Sequence, residues 1–73
     1  MNWDRFHGKF MQVEGAIREQ WGKLSSDDID KIVGEREQLV GRIQERYGVA
    51  REVAEKQADE WWTKMEDGTP KPA

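Results

Sequence analysis

The chain has 73 residues, 36% apolar and 37% charged, with 12 basic and 15 acidic side chains, a net charge of −3 and no cysteine. That length predicts one small domain, the missing cysteines exclude disulfides and thiol chemistry, and the acidic, well-mixed charge argues against a nucleic-acid-binding domain, which concentrates basic excess on one face. No stretch approaches the roughly 20 apolar residues of a membrane span, and MNWDRFHGKF lacks the apolar run of a secretory signal. The expectation is a cytoplasmic protein, monomeric, with no membrane span.

Trp3, Phe6, Phe10, Val13, Ile17, Trp21 and Leu24 recur at spacings of three and four. That is the period of a helix with one apolar stripe. Gly22 stands where a left-handed helix-ending residue belongs, and Leu24 can supply the accompanying apolar contact. SSDDID follows. Ser25 with Asp28 three residues on reads as a capping box, and Asp27 and Asp28 set negative charge at the positive helix end. Ile29, Ile32 and Val33 form one apolar face. Leu39, Val40, Ile43 and Tyr47 form another. Arg36 falls where the stripe should continue and Gly34 precedes it, which predicts a break near residues 33–36. Gly48 is the next helix cap. A last helix is predicted from about Ala50 to Met65, with Val53, Ala54, Ala58, Trp61 and Met65 on one face and Trp62 on its flank. Glu52–Lys56 and Glu60–Lys64 are favourable pairs four apart, each worth about 0.2–0.5 kcal/mol. DGTPKPA predicts a frayed tail over 67–73, leaving 1–66 as the helical domain.

Shifting residues 3–22 by 26 aligns them with 29–48. Gly8, Gln12, Gly15, Ile17, Glu19 and Gly22 then match Gly34, Gln38, Gly41, Ile43, Glu45 and Gly48. Trp3, Phe6, Val13 and Trp21 fall on Ile29, Ile32, Leu39 and Tyr47. The pattern reads as a duplicated unit: an apolar turn, a glycine, an amphipathic helix and a glycine cap. Gly8, Gly15, Gly34 and Gly41 lie off the apolar stripes, so they are not expected inside the core. An interior helical glycine costs about 0.5–1 kcal/mol relative to alanine. These four either bend the helices and admit close backbone contact, or keep the fold loose.

No catalytic constellation is visible. His7 is the single histidine, and without cysteine or a second histidine it predicts no zinc site. DDID lacks the frame and the position-twelve glutamate of a calcium loop. Ser25, Ser26, Thr63 and Thr69 have no base beside them in sequence. No catalytic residue, cofactor or metal is expected. Three residues are candidate partner contacts. Trp62 points about 100° away from Trp61 on the same helix, so both are buried only if that helix is enclosed on two sides. Arg42 and Arg46, with Arg5, Lys9, Arg18 and Arg51, could meet phosphates if they cluster in space.

WDRFHGK, REQWGKLSSDDID, GEREQLVGRIQERYG and AEKQADEW, in that order, resemble the CsbD-like family of small bacterial stress-response proteins, from about Trp3 to Trp61. The resemblance implies an all-α fold of about four short helices arranged as two crossed hairpins, and accumulation under general stress. It implies no assigned activity and no catalytic residues. Glu35 stands at a position often lysine in the family, and His7 and Met11 lie in a region often richer in lysine. Both departures weaken any polyanion-binding role. The sequence therefore points to a non-enzymatic stress protein of unknown molecular activity, a protective hydrophilic protein being one form of it. The alternative is an interaction module that binds a protein or nucleic acid through a helix face.

Overall fold

The structure, a computed structural model, describes residues 3–67. They form five helices, and no strand occurs among them: α1 (Trp3–Gly8), α2 (Phe10–Gln20), α3 (Ser26–Ile32), α4 (Arg36–Tyr47) and α5 (Arg51–Asp67). Of the expected tail, only Asp67 is described, and it ends α5; residues 68–73 lie outside the described residues.

The extra helix comes from a division of the first predicted one. Lys9 leaves helical geometry at φ −106° and ψ 11°. The break is shallow: Lys9 N–H still donates to the Arg5 carbonyl at 2.8 Å, and the Lys9 carbonyl accepts from Val13 N–H at 3.1 Å. The apolar stripe therefore keeps its phase across it. Phe6, Val13, Ile17, Trp21 and Leu24 are all buried, with Trp3 and Phe10 packed half-buried against them.

The predicted break near residues 33–36 lies where α3 gives way to α4. Val33 turns left-handed at φ 47°, Gly34 follows at φ 75°, and α4 begins at Arg36. Spacing alone assigns Val33 to the apolar face, but it ends the helix instead and points to solvent, 56% exposed. A β-branched residue in that region is an outlier. Gly48 is the left-handed cap the sequence predicts, at φ 65°, its N–H donating to the Gln44 carbonyl at 2.9 Å. Gly22 is not. The chain leaves α2 at Trp21, whose φ is −125°, and the positive-φ glycines are Gly34 and Gly48.

The 26-residue shift survives in three dimensions. It lays residues 10–20 of α2 on 36–46, inside α4. Phe6 and Ile32, Val13 and Leu39, and Ile17 and Ile43 are matched pairs, all buried. The two units part at their first glycine. Gly8 is exposed, with open space where a Cβ would stand; Gly34 is buried, and a Cβ there would lie 2.8 Å from His7 Cα. The expectation that Gly34 stays out of the core is thus overturned: it is where the α3–α4 junction rests on the α1–α2 junction.

Helix α5 closes the core, packing most densely on α4, which packs in turn on α3. Ala54, Ala58, Trp61 and Trp62 are its buried face. Val53, expected on that face, sits at its edge and is 44% exposed. An aromatic cluster fills one end of the core. Trp61 meets Trp21 at 5.2 Å and Phe6 at 6.0 Å between ring centres, while Trp62 meets Phe6 at 5.3 Å and stacks on Trp3 at 5.7 Å.

Gly15 and Gly41 sit in regular helix with negative φ, and at neither would an added Cβ have a neighbour within 4 Å. Gly15→Ala and Gly41→Ala are each expected to raise stability by about 0.5–1 kcal/mol. Urea denaturation of the single variants checks this, and a loss of stability would mean a hidden contact at that site.

Candidate functional site

The most organised polar arrangement lies where α3 begins. Ser25 accepts the Asp28 N–H at 3.2 Å, while Asp28 Oδ2 accepts the Ser25 N–H at 3.0 Å and its hydroxyl at 3.1 Å. This is the reciprocal capping box the sequence predicts. Its second use is not legible there. Asp28 is only 2% exposed, and Arg46, one residue before the end of α4, donates to both its carboxylate oxygens, at 2.7 and 2.9 Å. Arg42 stands four residues before Arg46, so the helix brings both guanidinium groups to one place. Arg42 Nη1 lies 3.6 Å from Asp28 and donates to Glu45 at 3.0 Å. Its Nε is buried without a hydrogen-bond partner.

The structure therefore gathers two of the three predicted contact residues and separates the third. Arg42 and Arg46 converge on Asp28. Trp62 lies in the core, 1% exposed, because α1 covers its flank through Trp3 and Phe6. As placed, its ring offers no surface to a partner. Other arginines are also engaged. Arg36 forms a two-pronged pair with Asp59 at 2.9 and 3.0 Å and lies over the Trp3 ring, and Arg51 bridges Glu37 and Glu55. Arg18 donates to Ser26 Oγ at 3.0 Å.

These pairs shift the carboxylates. Hydrogen bonds from Arg46 hold Asp28 well below the usual carboxylate range, against the opposing effect of burial. Arg51 lowers Glu37 and Arg36 lowers Asp59 in the same way. A folded carboxyl below its unfolded value takes up protons less readily than the unfolded chain does. Its stabilisation is complete above the unfolded value and is lost as pH falls toward the folded one. Stability is therefore expected to decline below about pH 4.5, where the unfolded groups, at 4.5 for Glu and 3.8 for Asp, begin to bind protons. Asp28→Asn is expected to lower the melting temperature by about 5–10 °C at pH 7 and to flatten the acid decline. Melting curves from pH 3 to pH 8 for both proteins check this. An unchanged acid limb in the variant would mean the Asp28–Arg46 pair is not what links protons to folding.

His7 shares a groove with Asp4, Glu35 and Glu37 between α1 and the start of α4. The groove is broad-mouthed, and Arg36, which also lines it, is already committed to Asp59. Among the described residues no three His, Cys, Asp or Glu side chains converge closely enough to hold a metal ion. The Ser25 hydroxyl meets a carboxylate, but that contact belongs to the helix cap. No described helix is long and apolar enough to cross a membrane.

Comparison with known proteins matches the sequence to one family. A family model described as CsbD-like matches residues 4–56. The chain is 54% identical over 61 residues to UPF0337 protein ECA0631 of Pectobacterium atrosepticum, covering 84% of this chain and 88% of that one. It is 50% identical over 66 residues to UPF0337 protein YjbJ of Escherichia coli K12, covering 90% and 96%. UPF0337 protein RPA4217 of Rhodopseudomonas palustris is 46% identical over 65 residues, covering 89% and 98%. No solved structure matches the chain.

Proposed function

This chain belongs to the CsbD-like family, and on that premise we propose that it is a non-enzymatic bacterial stress protein, cytoplasmic and monomeric at low concentration, that protects other macromolecules by physical means. The observation that carries the reading is the fate of its charges. The chain is 37% charged, yet Arg18, Arg36, Arg42, Arg46 and Arg51 are engaged within the chain itself, as at Asp28–Arg46, Arg36–Asp59 and Arg51–Glu37. Such a surface holds water and has little net field to draw a specific charged partner. Around a closed aromatic core it keeps the protein dispersed at high concentration, where it can stand between aggregation-prone neighbours as water is withdrawn.

The test is to dry, and separately to heat, a labile enzyme with and without this protein. Recovery of enzyme activity above that given by an equal mass of an inert small protein is the expected result; equal recovery overturns the reading. The alternative is an interaction module that meets a protein or nucleic acid through the helix face of Arg42 and Arg46, whose charge Asp28 offsets in part. Binding to DNA or RNA that weakens steeply with salt would favour it.

A further inference from the structure

We propose that the α1–α2 pair exchanges between two copies of this chain, forming a reciprocal dimer in which each copy's α1–α2 seats on the other's α3–α4–α5. The partner is a second copy, and the interface is the aromatic face of α5.

The attachment of the helices is uneven. Helices α3, α4 and α5 are tied to one another by Asp28–Arg46, Arg36–Asp59 and Glu37–Arg51, and the densest helix packing lies among them. The α1–α2 pair meets this body mainly through rings, Trp21 and Phe6 on Trp61, and Trp3 and Phe6 on Trp62, with Gly34 against the His7–Phe10 junction and Arg36 over Trp3 beside them. Side-chain hydrogen bonds from Trp21 to Gln57 and from Arg18 to Ser26 add to these. The pair is also weak in itself. Helix α1 has 6 residues and α2 has 11, Lys9 gives α2 no side-chain cap, and Gly15 sits inside α2. Helices that short do not persist alone in water, so the pair is helical only while seated.

One length of backbone, residues 21–25, joins the pair to the body. Gly22 there is exposed and has open space around it. Trp21 and Leu24 are buried and Ser25 caps α3, so the turn that opens is Gly22–Lys23, roughly 7 Å when drawn out, which redirects α2 toward a second copy. The surface uncovered is already committed to one shape. Trp61 and Trp62 are placed to receive Trp21 and Phe6, with ring centres 5.2 Å apart for Trp61–Trp21 and 5.3 Å for Trp62–Phe6. A second copy carries the same rings at the same spacing, so exchange restores the ring contacts in kind, while contacts of the opened turn, such as Lys23 N–H to the Tyr47 hydroxyl, are given up. Concentration decides between the two states. A tethered segment sees its own site at an effective concentration on the order of millimolar. Dilute copies therefore stay closed, and exchange competes as copies approach that level, through accumulation or loss of water.

The chain has no cysteine, so reporters can be introduced without background. Gln20 and Glu60 are exposed and line one groove where the end of α2 meets α5. One pool carries Gln20→Cys and another carries Glu60→Cys. They are mixed at about 1 mM, a concentration that rivals the tether, warmed to the melting midpoint and cooled. A short bis-maleimide added at that concentration reads the pairing, and light scattering reads the mass before and after dilution. The expected result is a dimer at about 1 mM that cross-links Gln20→Cys to Glu60→Cys between chains and returns to monomer when diluted without the cross-linker. A parallel mixture with Val53→Cys in place of Glu60→Cys should form the dimer but cross-link only at background. A single chain carrying both Gln20→Cys and Glu60→Cys, kept dilute, should cross-link within itself, which establishes the reach. Monomer throughout overturns the exchange, and so does a dimer that cross-links equally at Val53→Cys.

Discussion

Replacing Trp62 with alanine is expected to leave the protein largely unfolded at 37 °C. Trp62 is the largest fully buried side chain, 1% exposed, and it joins α5 to α1 through Trp3 and Phe6. Truncating a buried tryptophan costs about 3–5 kcal/mol, the transfer term plus the cavity. A domain this size commands only about 4–11 kcal/mol in all, at roughly 0.05–0.15 kcal/mol per residue. Trp62→Phe keeps most of the ring area and should retain the fold with a reduced melting temperature. Circular dichroism melts of the two variants check the ordering. A Trp62→Ala protein within about 1 kcal/mol of the parent would mean the site collapses without a cavity or that the ring is not enclosed.

Gly34→Ala is expected to cost about 3 kcal/mol or more, from a single added methyl group. Two effects combine. The left-handed φ of 75° is one that residues with a Cβ rarely adopt, and the Cβ would meet His7 Cα at 2.8 Å, with the His7 carbonyl and Phe10 Cβ at 3.3 Å. Backbone cannot swing aside as a flexible side chain can, so the two junctions must separate. Gly8→Ala is the matched control, at the equivalent place in the repeat. Nothing stands within 4 Å of its Cβ, and a change of at most a few tenths of a kcal/mol is expected there. Equal effects at the two sites would mean the close approach of the junctions is not what holds Gly34.

Trp62 and Gly34 also mark the boundary of what periodicity reveals. The stripe from Trp3 to Leu24, the Ser25–Asp28 box, the Gly48 cap and the break before Arg36 were all legible, because each depends on residues within one or two turns of one another. The candidate site was half legible. Arg42 and Arg46 announce a common helix face by their spacing of four. The carboxylate they converge on lies 18 residues before Arg46, and that pairing depends on how α3 folds back on α4.

Local spacing is enough to write an all-helical chain, most of the side chains that turn inward (Val33 and Val53 are the exceptions), and a unit repeated after 26 residues. A helix period is a property of neighbours along the chain, so it is written wherever the neighbours are. Packing between helices settles that Trp62 is enclosed, that Gly34 is a contact where its counterpart Gly8 is open, and that Asp28 serves Arg46 as well as its own cap. Each of those depends on a second element arriving from elsewhere in the chain. Two positions with the same local pattern then acquire different surroundings, as the two repeats do.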